Sequence, residues 1–364
     1  MKRDLYIDFA KGFATLSIIF IHTVFWSGQF YIPTELRVLS LLIDVPIFFA
    51  LSGLTSSGNL EKTFYRLLKL QITYMIFVTG LFLVDWLFKV IVINFWSLDT
   101  LKNIYATFGG KYIPRNPSAI PNWEQLGNWF AHSYSNCDTF PVVMGSFWYL
   151  KIYYIITVFG ILILKFFNKH IPWFIAICAA LLCYFNIDFG NYPSGQVGYV
   201  CFYLAIFLIA HQLKGKQLNK NLIPLLYTLC LAALATLGFV YGDDIYLRMN
   251  KMKFPPKLPY ILWSFLSLIT VFALYNRWKI TKDNFINEIG RNAIFYYFAQ
   301  GISSSLVYFV VVPLQDQIHW AILMIAIYIL NVLLAIAIVQ LLKRTDTLGW
   351  NILKKLRKYT ESRA

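Results

Sequence analysis

Ten apolar runs, each close to the roughly 20 residues that an α-helix needs to cross a bilayer core, dominate this chain. They fall at about residues 9–30, 36–56, 68–93, 144–165, 171–187, 196–213, 222–241, 258–276, 288–312 and 319–342. Composition agrees with that reading. Of 364 residues, 59% are hydrophobic and only 13% charged, against about 25% charged in soluble domains, and the mean hydropathy is +0.59. An ordinary soluble domain is excluded. The expected fold is all-α, a polytopic membrane helix bundle of about ten transmembrane helices. No internal repeat, low-complexity segment or second soluble domain interrupts the pattern, so any chemistry has to sit within the bundle.

The 32 Lys and Arg against 17 Asp and Glu give a formal charge of +15. In a soluble chain that surplus would suggest nucleic acid, but in a membrane chain basic residues collect on the cytoplasmic side. An even number of spans returns both ends to one side. With the N-terminus inside, the inner segments hold Lys2, Arg3 and Lys11, then Lys62, Arg66 and Lys69, then Lys165 and Lys169. Lys214, Lys216, Lys220, Arg277, Lys279, Lys282 and Arg291 follow, and the tail adds Lys343, Arg344, Lys354, Lys355, Arg357, Lys358 and Arg363, in all 22 of the 32 basic residues. Both termini are therefore expected in the cytoplasm, and no nucleic-acid partner is expected. The weak point is an outer loop carrying Arg248, Lys251, Lys253 and Lys257.

The first apolar run contains Asp8, Lys11 and His22, with no small-residue cleavage pattern after it; it reads as a retained helix, not a signal peptide. From Leu342 onward, Leu353, Leu356 and paired lysines read as an amphipathic surface helix on anionic lipid. Cys178, Cys183, Cys201 and Cys230 lie in expected spans and Cys137 in the long loop. No disulfide framework is expected, since buried unpaired Cys behaves as a small hydrophobe. His22, His132, His170, His211 and His319 stand singly, without metal-ligand spacing, so no metal is expected. The one long connection, about 94–143, carries helical patterns over Ser97–Phe108 and Asn122–Ser135 and many aromatics. Loops of that length are usually functional or disordered; the aromatics argue for a folded lid or acceptor platform over the outer face.

Ionisable groups inside a span are costly and mark function by default. Lys11 and His22 are eleven positions apart, three helical turns plus about 20°, and about 16 Å along the axis. Asp8 and Thr15 lie within about 60° of the same line, completing a polar stripe. The imidazole has two readings, an interhelical hydrogen-bonder or an acid-base catalyst, and the aligned Lys strengthens the second. Asp44 precedes Pro46, which is expected to kink the second span, while Ser52 and Gly53 permit close helix approach. An Asp at that depth needs a partner, and Lys11 or His22 is the expected one. Asp85 and Lys89, at i and i+4, read as a self-neutralising structural pair. Lys151 either snorkels to the outer interface or binds an anionic group. Lys62, Arg66 and Lys69 are either inner-face anchors, which composition alone favours, or a phosphate clamp in which Arg offers a bidentate fork and Lys a point charge.

Several of these positions belong to longer strings. Arg3-Asp4, Ile7-Asp8-Phe9-Ala10-Lys11-Gly12 and His22 stand on the first helix, and Pro46-Ile47-Phe48-Phe49-Ala50-Leu51-Ser52-Gly53 on the second. Arg66-Leu67-Leu68-Lys69 enters the third, Phe147-Trp148-Tyr149-Leu150 opens the fourth, and Gly290-Arg291-Asn292-Ala293 with Tyr297 comes late. In order and spacing the chain resembles the acyltransferase 3 family of integral-membrane acyltransferases, including its sugar O-acetyltransferase branch. Lys11 and Lys69 stand where many members have Arg, and Gln300 where many relatives carry a second His.

The resemblance implies a membrane acyltransferase domain over residues 1–342, with the extracytoplasmic loop 94–143 and a basic cytoplasmic tail over 343–364. It implies transfer of an acyl group, usually acetyl, from cytoplasmic acyl-CoA to a hydroxyl of a cell-surface or lipid-linked saccharide, with no bound cofactor. Arg66, Lys69 and Lys62 would hold the CoA phosphates; His22 would act as general base or form an acyl-histidine relay, with Lys11 and Asp8 beside it. Asp44, Ser52, Trp148, Lys151 and Asn292 would support the site or face the acceptor. The expected partners are acyl-CoA, the glycan acceptor and membrane lipid, and the expected location is a bacterial inner membrane. A non-enzymatic exporter or flippase of lipid-linked oligosaccharide and a polysaccharide polymerase, the latter using outer-loop residues such as His132 and Arg115, remain as alternatives.

Overall fold

The computed structural model describes residues 4–109, 117–131, 137–187 and 196–361, the side chains of 352–361 apart. Lys2, Arg3, Arg115, His132 and Arg363, the side chains of Leu353, Lys354, Lys355, Leu356, Arg357 and Lys358, and the end of the 122–135 pattern lie outside the described residues. Every regular element among those described is helical. In chain order they are α1 (Leu5–Phe25), α2 (Thr34–Ser40), α3 (Pro46–Thr55), α4 (Leu60–Phe95), α5 (Leu98–Ala106) and α6 (Trp123–Phe130). Next come α7 (Pro141–Ser146), α8 (Trp148–Phe166), α9 (Ile171–Ile187), α10 (Val197–Gln212), α11 (Leu222–Tyr241) and α12 (Asp244–Leu247). The chain closes with α13 (Leu258–Leu274), α14 (Phe285–Arg291), α15 (Ala293–Leu306), α16 (Tyr308–Leu314) and α17 (Trp320–Glu361).

Among the described residues, seven helical stretches are long and apolar enough to cross a membrane: Leu5–Phe30, Leu60–Phe95, Pro141–Phe166, Asn168–Asn186, Leu222–Tyr241, Ala293–Leu314 and Trp320–Asn351. The shorter apolar helices α3, α10 and α13 coincide with the three remaining expected runs. Along α9 and α11 only 11% and 22% of the apolar window is buried, and Phe239 is 93% exposed. Water penalises such a surface; hydrocarbon solvates it.

The chain forms two compact units. The first comprises Met1–Val24, Ile32–Phe64 and Tyr149–Ala293. Within it α10 packs on α3 and α9, and α13 on α3 and α11. Glycine sets the closest approach: a Cβ on Gly53 of α3 would overlap the Phe207 carbonyl of α10, and one on Gly160 of α8 would strike the Phe207 ring. The Phe49 ring stacks on Tyr203 at 4.5 Å between centroids and meets Tyr149 edge-on at 5.4 Å. α1 begins at Leu5 because Asp4 caps it, its carboxylate accepting from the N–H groups of Tyr6 and Ile7.

The expected second span is not one kinked helix. α2 ends at Ser40 and α3 starts at Pro46, with Pro46 in the first helical turn. There its missing N–H costs nothing and its fixed φ suits the helix start. The intervening turn holds Asp44, whose carboxylate accepts from the Val45 N–H at 2.7 Å. The tail from Leu342 is helical and continuous with the last apolar run: α17 runs unbroken for 42 residues. Gly349, its lone glycine, leaves just the space that the Ile76 side chain of α4 needs.

The second unit comprises Phe25–Tyr31, Tyr65–Trp148 and Ile294–Ala364. α5 and α6, capped by Ser97 and Asn122, confirm the two helical patterns of the long loop within the described residues. The loop is tied to α4 at several points. The Tyr74 hydroxyl donates to the Trp129 carbonyl at 2.6 Å and the Trp86 indole to the Ala119 carbonyl at 2.8 Å. Leu101, Tyr105 and Phe108 of the loop bury themselves with Val92, Val142 and Tyr308. Lys89 bonds both Asp85, at 2.8 Å, and Asp138, at 2.9 Å, while Asp85 also accepts from the Thr139 N–H. The expected pair is thus a buried triad that anchors the far end of the loop. Burial pushes the neighbouring Cys137 thiol well above its ordinary pKa.

Candidate active site

The polar stripe of α1 is laid out as helix geometry requires. Asp8 and Thr15 are buried, and Lys11 and His22 are half-buried. The Thr15 hydroxyl donates back to the Lys11 carbonyl at 2.8 Å, the usual way a span satisfies a hydroxyl.

Two strings about 280 residues apart meet around Asp8. A Cβ on Gly290 would overlap the Asp8 carbonyl, and one on Gly12 the Ile286 carbonyl, so α1 and α14 touch backbone to backbone through reciprocal glycines. Asn287, fully buried, donates from Nδ2 to the Leu5 carbonyl at 2.7 Å. Arg291 pairs with Asp283 at 2.7 Å and lies within electrostatic reach of Asp8. Asn292 closes α14, its amide donating to the Glu288 carbonyl. The Asp8 end of the stripe is held by two glycines and an asparagine.

Asp44 does not pair with Lys11 or His22. Its carboxylate, 1% exposed, receives the Lys253 ammonium at 2.7 and 3.0 Å and the Tyr260 hydroxyl at 2.7 Å. The break between α2 and α3 turns Asp44 toward the segment that leads into α13, where Lys253 is itself buried. This corrects the expected partner and also accounts for one lysine of the anomalous basic loop. That outlying charge was the signal in the sequence; nothing there pointed to Tyr260, Asp138 or Asn287.

The remaining candidates are distributed as follows. Ser52 is half-buried beside Gly53 on α3. Lys62, Arg66 and Lys69 are exposed along the first turns of α4, whose start Asn59 caps by accepting from the Lys62 N–H. Trp148 is half-buried at the head of α8, and Lys151 one turn later is exposed. His22, Lys11, Asp8, Asp44, Ser52, Lys62, Lys151 and Asn292 belong to the first unit; Arg66, Lys69 and Trp148 belong to the second. Among the described residues no group of His, Cys, Asp and Glu has metal-binding geometry.

The profile of the acyltransferase 3 family, an acyltransferase domain, matches residues 4–340, nearly the whole chain. The chain belongs to the acyltransferase 3 family. Membership carries the function class: this is an acyltransferase, and its apolar helices make it an integral membrane protein. No curated protein and no solved structure matches it. Within this acyltransferase the first-helix string and the late Gly290-Arg291-Asn292 string are in contact, which brings two distant stretches of the family match to one place.

Proposed function

We propose that this acyltransferase moves an acyl group, acetyl in the simplest case, from cytoplasmic acyl-CoA to a hydroxyl of a cell-surface or lipid-linked saccharide. The observation that carries the reading is the family match over residues 4–340; the polar stripe on α1 and its contact with α14 supply the chemistry. His22 takes the proton of the acceptor hydroxyl as its oxygen attacks the thioester carbonyl, and returns that proton to the departing thiolate. The products are an O-acyl ester and free CoA. Arg66, Lys69 and Lys62, exposed and entering α4, hold the CoA phosphates, and Trp148 and Lys151 meet the acceptor. Counting α3, α10 and α13 as spans gives ten crossings with both termini cytoplasmic, in a bacterial inner membrane. Burial of Lys253 against Asp44 supports that path by removing one charge from the outer basic count.

The test compares ester-linked acyl groups on surface glycans between wild type and His22→Ala at equal membrane abundance. The ester should vanish while polymer amount and length stay constant. Unchanged ester with missing or shortened polymer would replace this reading with the exporter or polymerase.

A further inference from the structure

The structure assigns a substrate contact to Gln300, in a buried polar seam on α15 that no step above employs. α15 is buried on both sides but is not apolar on both. One side is hydrocarbon and aromatic: Phe298 stacks on Phe77 at 4.5 Å and meets Phe147 edge-on at 6.0 Å. About 200° round the helix the residues turn polar. Gln300, Ser303 and Ser304 are each at most 1% exposed, and Ser304 accepts from the Asn331 amide of α17 at 3.0 Å.

Most of this seam is satisfied internally. The Ser305 hydroxyl donates to the Gly301 carbonyl and accepts from the Val142 N–H, and Ser303 donates to the Gln300 carbonyl. The Gln300 side chain is not satisfied in this way. Its Nε2 makes one long bond, 3.2 Å, to the Tyr297 carbonyl one turn back, and its Oε1 is buried with no hydrogen-bond partner. A buried carbonyl oxygen left unmet is expensive, and polar groups kept inside a membrane bundle serve function by default. A Leu or Met of similar volume would fill the same space without that cost.

The chemistry of the seam defines what meets it. The group on Oε1 must be a donor, which an ionised phosphate or carboxylate is not, and the seam's Ser303, Ser304, Ser305 and Asn331 side chains carry no charge. A neutral O–H or N–H fits. Building on the acyl-transfer reading above, two sources exist: the saccharide hydroxyl, or an amide N–H of the pantetheine arm of the acyl donor.

The experiment uses the full-length protein in detergent and in membranes, as wild type and Gln300→Met. Calorimetry with coenzyme A, labelled acetyl-CoA incorporation into native glycans, and thermal unfolding are measured on both. Loss of one neutral hydrogen bond weakens binding about fivefold. Coenzyme A bound about fivefold more weakly, with an unfolding temperature equal to or above wild type, supports the contact and assigns it to the pantetheine amide. Unchanged coenzyme A binding with transfer at saturating acetyl-CoA reduced about fivefold or more supports it and assigns it to the acceptor hydroxyl. If both stay at wild-type values, or if Gln300→Met lowers the unfolding temperature, Gln300 is a structural residue and the inference falls. A wild-type protein that neither binds coenzyme A nor labels glycans refutes the acyl-CoA reading and this inference together, an outcome distinct from failure of Gln300 alone.

Discussion

Lys253→Met isolates the most consequential contact that the fold creates from distant residues. The substitution keeps the length of the side chain and removes its charge, leaving Asp44 buried without its counter-ion. Removing one partner of a buried pair costs about 3–5 kcal/mol. Here the stranded carboxylate keeps the Tyr260 hydroxyl and the Val45 N–H, both at 2.7 Å, so the loss falls at the low end, about 3 kcal/mol. At about 2 °C per kcal/mol for a chain of this size, the unfolding temperature should drop by about 6 °C. The double variant Asp44→Asn with Lys253→Met carries no stranded charge, and its amide oxygen still accepts from Tyr260. It should recover half or more of that drop, a coupling of about 1.5 kcal/mol or greater. Lys251→Met, two residues away and exposed, serves as the control and should shift stability by less than about 0.5 kcal/mol. Thermal unfolding of these three variants and of Asp44→Asn alone, in one detergent and at one scan rate, gives all the values. If Lys253→Met shifts no further than Lys251→Met, or if the double variant loses the sum of its parts, the pair is not the constraint described.

Three other outcomes are expected. Gly290→Ala places a methyl on the Asp8 carbonyl and should cost about 1–3 kcal/mol and lower acyl transfer, read by unfolding temperature and labelled-acetyl incorporation; wild-type values for both would refute the backbone contact. Lys89→Met strands Asp85 and Asp138 together and should destabilise by at least about 3 kcal/mol, with hydrogen exchange rising first at 137–140; uniform or unchanged exchange would refute the anchoring role. Arg66→Ala, on an exposed turn, should leave unfolding within about 0.5 kcal/mol of wild type while raising the KM for acyl-CoA several-fold, and an unchanged KM would remove it from the phosphate clamp.

The legible part of the site was the part written within single helices. The Asp8, Lys11, Thr15 and His22 stripe follows from a period of about 3.6 residues, and the structure keeps all four on α1. The Asp85–Lys89 pair follows from the i,i+4 rule and is observed at 2.8 Å. Asp138, its third member, is 49 residues from Lys89 in sequence, and no local rule reaches that far. The same holds for Asp44. Its need for a counter-ion could be read from its burial cost, but a choice among Lys11, His22 and Lys253 could not, because all three are cations or titratable bases and only packing separates them. Pro46 was readable as an interruption, yet whether it kinks a helix or begins one depends on what the preceding turn can satisfy, and that was decided by Asp44.

Apolar length, helical period and the placement of basic residues belong to the chain itself, because transfer into hydrocarbon and the rise of a helix are local and nearly additive. They determined an all-helical membrane protein and the stripe on its first helix. Tertiary structure decided which buried polar groups meet: Gly12 and Gly290 bringing α14 onto Asp8, Lys253 reaching Asp44, Asp138 completing the triad, and the Gln300 carbonyl left inside a packed helix. Those outcomes depend on which surfaces fit at van der Waals distance, and a buried charge or amide accepts whichever partner the packing delivers.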